Sequence, residues 1–331
     1  MPLFSHYGDL PDISYCLSYL SLFFSIFTPI IVIARLVSRK AFARKVGVDD
    51  WTILASAMFA EVVSIQMIFL CEWSFGKHVN QLQDKSQLVK TLKVYFVAQI
   101  LYKVNIGLTK ISILLLYLRI FVVQWFQRTC QAWIAIVIIF TIGTVISSIF
   151  QCTPVTFAFD KSEKGTCINL TAFWYANAAF NIPSDLVIIF LPIPVIRKLQ
   201  LPPQQKFLLS GTFAVGIFVC ITSILRITTL DIATSHLDVA WNSIASSMWT
   251  IIEFNLGIFC ASLPAFRSAL SSFFPAFFGR VHSATDYESR SRPRINKANM
   301  RAIDQWNELH ECDSRTHIHS DLVNDSDSVQ K

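Results

Sequence analysis

The feature that most constrains this sequence is a series of long apolar segments, the first of which carries no charge. No Asp, Glu, Lys or Arg occurs from Ile13 to Ala34, a run of 22 residues. About 20 apolar residues in a helix cross the hydrocarbon core of a bilayer. We therefore expect a transmembrane helix here. Because the run is too long for the core of a cleavable signal peptide and no basic stretch precedes it, we interpret it as a signal anchor.

Six further apolar segments follow, and the composition, 53% hydrophobic and 15% charged, is that of a membrane protein. The predicted spans cover residues 13–36, 51–71, 94–118, 131–152, 174–196, 207–230 and 242–266. A chain inside lipid must satisfy its own backbone hydrogen bonds, which helices do and open strands do not. The predicted fold class is therefore all-α, a polytopic bundle of seven transmembrane helices. The expected domains are a short extracellular N-terminus (1–12), the bundle (13–270) and a mostly disordered cytoplasmic tail (271–331).

The orientation of the bundle follows from its basic residues. The segments after spans 1, 3 and 5 carry nine Lys and Arg residues, more than the segments on the alternate side. Cytoplasmic loops are enriched in Lys and Arg, so the N-terminus is predicted outside and the C-terminus in the cytoplasm, with the plasma membrane as the expected location. The net charge of +6 reflects this bias. The expected partner is therefore the lipid bilayer, and the charge does not indicate a nucleic acid.

The segment between spans 4 and 5, predicted to lie outside, contains two cysteines and a glycosylation sequon. A disulfide between Cys152 and Cys167 would close a short loop in an oxidising compartment. Cys71 competes as a partner for either cysteine, so the sequence leaves the pairing open. The sequon begins at Asn169, and a glycan there requires the same side of the membrane. The chain is accordingly predicted to be a glycoprotein.

Charged residues inside the apolar segments are the candidate functional residues. The third segment, Gln99 to Phe121, contains Lys103 and Lys110 on one helical face. A charged side chain in the bilayer centre costs about 3 kcal/mol, so this face must contact protein or water. Acids at matching depth occur in other spans, and pairing with them is expected. The predicted intramembrane polar network consists of Glu61, Lys103, Lys110, Asp185, Arg226 and Glu253.

Three interpretations of this network remain open. It can hold the helices in register, it can form a pocket that exchanges internal partners for a ligand, or its acids, Glu61, Asp185 and Glu253, can act as general acids in an enzyme such as a prenyl-substrate cyclase. The sequence has no phosphate-binding loop and no zinc-site spacing, so no catalytic residue, cofactor or metal is assigned. Residues 242–266 contain no lysine, which excludes a retinal Schiff base in the seventh span.

Several motifs, in their order and spacing, resemble the fungal rhodopsin-like integral membrane proteins. They are GVDDW at Gly47–Trp51, KISILLLYLRIF at Lys110–Phe121, QCTP at Gln151–Pro154 with Asp160 and Cys167, NIPSDLVIIFL at Asn181–Leu191 and CASLPAFR at Cys260–Arg267. In the first motif, Asp49 or Asp50 is predicted to cap the second helix. Phe159 departs from the family pattern, in which a Trp commonly precedes the Asp.

The resemblance implies a seven-helix membrane protein and suggests that Lys110, Asp185, Arg226 and Glu253 are family positions. Members of the family include receptor-like surface proteins and proteins encoded in secondary-metabolite gene clusters. The expected function is therefore receptor-like sensing of a small molecule or surface cue, coupled to cytoplasmic signalling proteins. The alternative is a membrane-embedded enzyme, or an accessory or transport protein, of a fungal secondary-metabolite gene cluster.

Overall fold

The computed structural model of the chain is mostly α-helical. It describes residues 13–43, 47–76, 85–160, 164–198, 211, 214–226, 228 and 239–266. Within these ranges six helices are long and apolar enough to cross a membrane. The predicted sixth span is described only in part, as a shorter apolar helix. A mostly helical membrane fold is therefore confirmed, whereas the count of seven spans and the orientation stay predictions. The N-terminal segment and the tail fall outside the described residues.

The helices follow the predicted spans with shifted ends. They are α1 Ser14–Ser38, α2 Val48–Trp73, α3 Lys85–Ile120, α4 Gln124–Ile149, α5 Leu170–Phe190, α6 Ile193–Lys198, α7 Ala214–Arg226 and α8 Val239–Ser262. A π-helical turn, Arg39–Ala43, continues α1, and a 3-10 turn, Leu263–Phe266, continues α8. The prediction started α3 nine residues too late and α4 seven residues too late. Lys and Gln are good helix formers, so both helices extend past the apolar part that defined the predicted spans.

The start of α2 differs from the expected capping arrangement. Gly47 is the N-cap residue, and its backbone N–H donates to Asp50 Oδ2 at 3.0 Å. The prediction that Asp49 or Asp50 is the N-cap residue is therefore wrong: both lie inside the first turn. Their carboxylates still sit at the positive end of the helix dipole, which favours acids there.

Helix α3 is the centre of the bundle. It packs against α2, α4, α5 and α8, and both buried apolar clusters include its side chains. Gly107 allows α4 to come close, because a Cβ atom at this position would lie 2.5 Å from Thr141 Oγ1. Small residues at such crossings are typical of membrane helices. The stretch with two lysines thus occupies the position with most helix neighbours.

A small hairpin joins α4 to α5 at one end of the bundle, which we call the disulfide end. Strands Cys152–Thr153 (β1) and Thr166–Cys167 (β2) pair antiparallel, and Cys152 is bonded to Cys167. The predicted disulfide is confirmed. Asn169 then caps α5, since its Oδ1 accepts a hydrogen bond from the Ala172 N–H at 3.1 Å.

Candidate functional site

Lys110 and Asp185 form the first ion pair inside the bundle. The Lys110 ammonium lies 3.1 Å from Asp185 Oδ1 and is itself buried. It also donates to Asn181 Oδ1 at 3.0 Å and to Ser184 Oγ at 2.5 Å. Since Asn181, Ser184 and Asp185 lie within two turns of α5, three successive polar side chains of one helix surround a single ammonium of α3.

Arg226 and Glu253 form the second ion pair, between α7 and α8. The Arg226 Nε atom lies 3.0 Å from Glu253 Oε2, and the Glu253 side chain is 3% exposed. Two hydroxyl groups donate hydrogen bonds to the same carboxylate: Tyr102 to Oε2 at 3.0 Å and Ser223 to Oε1 at 2.7 Å. The guanidinium also lies over the Tyr102 ring, 5.5 Å from its centroid. Glu253 of α8 is therefore held by side chains of two other helices, α3 and α7.

The other two members of the predicted network do not pair with each other. Glu61 belongs to α2, and its side chain contacts α1: the Oε2 atom accepts a hydrogen bond from Ser25 at 2.8 Å. Lys103 donates to the Ser148 hydroxyl, and its ammonium lies 4.4 Å from the centre of the Phe173 ring. Among the described residues no carboxylate forms an ion pair with Lys103. The six predicted residues thus divide into two ion pairs, one remote acid and one lysine that has no acidic partner in the described ranges.

A cavity of about 80 Å³ lies where α2, α3, α5, α7 and α8 meet, in the half of the bundle nearer the disulfide end. Its charged lining comes from Lys103 and Arg226. Its remaining walls are apolar, aromatic or neutral polar, and include Met67, Tyr95, Tyr102, Trp174, Asn181 and Ser247. The lining residues that the structure describes include no Asp or Glu. The candidate general acids therefore do not face this cavity.

A cluster of five charged residues at the opposite end of the bundle was not predicted. Arg35, Arg39, Asp49, Asp50 and Arg119 make up this cluster, which we call the five-residue ionic cluster. Arg35 is completely buried: its Nη2 lies 3.0 Å from Asp49 Oδ2 and its Nε lies 3.0 Å from Asp50 Oδ1. Its third nitrogen donates to the Ala261 carbonyl at the end of α8.

Arg119 joins the cluster from α3. Its Nη1 lies 3.0 Å from Asp49 Oδ1 and 3.6 Å from Asp50 Oδ2. Ser112 of the same helix donates to the Asp49 carbonyl at 2.7 Å. The cluster therefore ties α1, α2, α3 and α8 together. The sequence signal for it was the adjacent Asp49 and Asp50 between Arg35 and Arg119. Asp49 and Arg119 are 70 positions apart, so spacing alone could not link them.

No metal-binding constellation accompanies these sites. Across the ranges given above, no group of three His, Cys, Asp or Glu side chains is arranged to hold a metal ion. The chemistry of the bundle is that of ammonium, guanidinium, carboxylate, amide and hydroxyl groups. Such groups can bind anions and hydrogen-bonding molecules.

Comparison with known proteins assigns the chain to a membrane protein family. The model of the fungal rhodopsin domain matches residues 34–272, which confirms the resemblance seen in the sequence. A SAT4 family membrane protein of Emericella nidulans is 32% identical over 245 residues, covering 71% of this chain and 60% of that relative. Receptor GIN3 of Arthrobotrys oligospora is 26% identical over 294 residues, covering 88% of this chain and 70% of that relative.

A third relative comes from a biosynthetic gene cluster. The polyenoic acids biosynthesis gene cluster protein Ba17b of Metarhizium anisopliae is 24% identical over 311 residues, covering 86% of this chain and 84% of the relative. No solved structure matches the chain. The similar proteins thus include a receptor and a gene-cluster protein.

Proposed function

This chain belongs to the fungal rhodopsin family, and from that membership we propose that it is a receptor-like multi-pass membrane protein that binds a small molecule inside its helix bundle. A relative that covers most of the chain is named as a receptor. The observation that carries the proposal is the cavity at the junction of five helices, lined by Lys103, Arg226 and aromatic side chains. Ligand sites between the helices of a bundle have this character, mostly apolar with a few placed polar groups.

The predicted orientation gives this cavity a sensing role. With the N-terminus outside, as the distribution of Lys and Arg favours, the disulfide end and its Asn169 sequon face the exterior of the plasma membrane. The cavity then lies in the outer half of the bundle, and the five-residue ionic cluster lies at the cytoplasmic ends of the helices. A ligand from outside the cell would then reach the cavity through the disulfide end of the bundle.

Helix α8 offers a physical route from the cavity to the cytoplasmic end. Ser247 of α8 lines the cavity, and one turn and a half later Glu253 holds Arg226, another lining residue. At its far end the Ala261 carbonyl of the same helix accepts a hydrogen bond from Arg35 of the ionic cluster. A ligand that moves α8 would therefore disturb the cluster. Small helix shifts that break ion pairs are an established form of switching.

The positions of the acids support a receptor over an enzyme. A general acid must reach the substrate to within hydrogen-bond distance. Asp185 is engaged by Lys110, Glu253 by Arg226 and two hydroxyls, and Glu61 lies between α1 and α2. None of them belongs to the described lining of the cavity. A prenyl-substrate cyclase in which these acids protonate a bound substrate gains no support from this arrangement.

A second candidate function is a role in a secondary-metabolite pathway, as an accessory or transport protein. It is favoured by the names of relatives such as the polyenoic acids cluster protein, which covers most of this chain. The same cavity would then bind a pathway metabolite rather than an external cue. Both candidates require a bound small molecule, and they differ in its source and in what binding triggers.

Native mass spectrometry of the protein in lipid nanodiscs tests the proposal. The full chain is incubated with a culture extract, washed and compared with Ser247→Phe, which fills the cavity, and with Ser147→Phe, which adds the same side chain on an exposed face of α4. We expect a small molecule retained by the wild type and by Ser147→Phe but lost from Ser247→Phe. Equal retention by all three proteins would contradict the cavity as the binding site.

The same samples separate a receptor from an enzyme. A receptor releases the molecule with unchanged mass, whereas an enzyme releases a product. A fluorophore on a cysteine introduced at the exposed Val122, next to the ionic cluster, reports movement at the cytoplasmic end. We expect its emission to change when the retained molecule is added. A changed mass of the released molecule with a silent fluorophore would refute the receptor proposal.

A further inference from the structure

Lys103 is the feature of the cavity that neither the fold nor the ion pairs explain. The other two cations of the predicted polar network form ion pairs: Lys110 with Asp185, and Arg226 with Glu253. Lys103 has only the Ser148 hydroxyl and the face of Phe173 within the described part of the chain. An ammonium at this depth costs about 3 kcal/mol unless an opposite charge or water compensates it. Among the described residues, Lys103 is therefore the cation of this network whose ammonium has no carboxylate beside it.

A second observation points to a missing hydrogen-bond partner in the same cavity. The Ser247 hydroxyl is buried, with 3% of the residue exposed, and no described atom forms a hydrogen bond with it. Buried hydroxyl groups nearly always have a partner, because an unpaired one loses the hydrogen bonds that it makes in water. Ser247 lies on α8, whereas Lys103 lies on α3, and both line the cavity. A bound molecule can supply the acceptor that each of them lacks.

From these two groups we infer that the cavity binds a small monocarboxylate with a short apolar body; this inference rests on the proposed function of the cavity as a ligand site. The carboxylate supplies one negative charge, which would pair with the Lys103 ammonium, the charged lining group that has no described acid beside it. It also has several acceptor positions and can bond more than one donor. A dianion such as phosphate would exceed the available charge and meet aromatic walls that cannot solvate it.

The walls and the volume define the body of the ligand. Tyr95, Tyr102 and Trp174 give the cavity aromatic surfaces that favour an apolar chain. A water molecule needs roughly 10–15 Å³ of cavity volume, so about 80 Å³ holds about five to eight water-sized groups. Two of these groups are the carboxylate oxygens, so a carboxylic acid of roughly three to six carbons has this size.

Binding measurements with a matched panel test this inference. The full chain in nanodiscs is titrated at pH 7 with butyrate, hexanoate and octanoate, and with hexan-1-ol, hexan-1-amine and inorganic phosphate, while tryptophan fluorescence and thermal unfolding are followed. We expect hexanoate to bind at least tenfold more tightly than hexan-1-ol and to raise the unfolding temperature. Binding of hexan-1-ol or the amine as tight as that of hexanoate, or no binding of any of the three carboxylates, would overturn the inference.

Variants assign the effect to Lys103. Lys103→Gln should lower the affinity for hexanoate at least tenfold and abolish the preference over hexan-1-ol, whereas Lys103→Arg keeps the charge and should keep the preference. Glu61→Gln, which alters a half-buried polar group away from the cavity, should bind like the wild type. Unchanged hexanoate affinity in Lys103→Gln overturns the inference, and Ser247→Ala, expected to weaken binding severalfold, provides a second check if Lys103→Gln does not fold.

The outcomes distinguish this inference from the proposed function. If hexan-1-ol binds as well as hexanoate and Ser247→Phe blocks both, the cavity is a ligand site without a preference for anions. The proposed function then stands and the inference fails. If none of the panel binds and no metabolite from the culture extract is retained, both fail.

Discussion

Replacing Arg35 by methionine should be one of the most damaging single substitutions in the bundle. The guanidinium is completely buried and uses all three of its nitrogens, for Asp49, Asp50 and the Ala261 carbonyl. Methionine fills a similar volume but cannot donate a hydrogen bond, so the substitution removes the charge with little change in packing. Asp50, which is 0% exposed, loses its guanidinium contact of 3.0 Å. It keeps the hydrogen bond from the Gly47 N–H and two longer guanidinium contacts of 3.6 and 3.7 Å.

The expected loss of stability follows from this geometry. Removing one partner of a buried ion pair costs about 3–5 kcal/mol, because the other charge stays buried. Arg39 and Arg119 still compensate the two acids in part, which favours the lower end of that range. The loss of the hydrogen bond to the Ala261 carbonyl adds to this cost. We therefore expect Arg35→Met to lower the free energy of unfolding by at least about 3 kcal/mol.

Titration with sodium dodecyl sulfate in mixed micelles, followed by circular dichroism, measures this free energy. Arg119→Met is the matched control, since Arg119 contacts the same acids but its side chain is 32% exposed. Exposed ion pairs contribute at most about 1 kcal/mol, so this control should lose much less stability. The double variant Arg35→Met with Asp50→Asn should recover part of the loss. Equal losses in Arg35→Met and Arg119→Met, or a loss below about 1 kcal/mol for the former, would refute the reasoning.

Three further predictions concern the disulfide, the first ion pair and the sequon. Cys152→Ser should lower the free energy of unfolding by about 2–4 kcal/mol in oxidising conditions, because the bond to Cys167 closes a loop with a sequence separation of 15; the measurement is the same detergent titration with and without reductant. Lys110→Met should cost about 3–5 kcal/mol by leaving Asp185 without its ammonium, and Lys110→Met with Asp185→Leu should be closer to the wild type. Asn169→Asp should keep the cap of α5 but abolish a glycan, seen as loss of the mobility shift on glycosidase treatment.

Reductant should destabilise the wild type and leave Cys152→Ser unchanged; a reductant effect of the same size on both would mean that the bond contributes nothing. A double variant at Lys110 and Asp185 less stable than either single variant would show that the pair does not act as a unit. A wild-type protein without a glycan at Asn169 would contradict the predicted outside location of the disulfide end.

The sequence alone determined the helical membrane fold, because the signals for it are local. Long uncharged runs such as Ile13 to Ala34 insert as helices whatever their neighbours are, and backbone hydrogen bonds inside lipid leave few alternatives. The disulfide was also accessible, since Cys152 and Cys167 lie 15 positions apart in one loop. The family could be recognised from the order of short motifs. Helix ends were less accurate, because polar segments at the membrane surface continue the helices.

The tertiary structure decided which charges meet. Three acids and three bases at similar depth allow several pairings, and only the rotation and packing of the helices bring Lys110 to Asp185 and Arg226 to Glu253 while Lys103 reaches no described acid. The ionic cluster around Arg35 joins residues from four helices, and the cavity joins five. Such sites depend on distances between segments far apart in the chain. Side-chain period and depth restrict these distances, but the packing of all the helices together sets them.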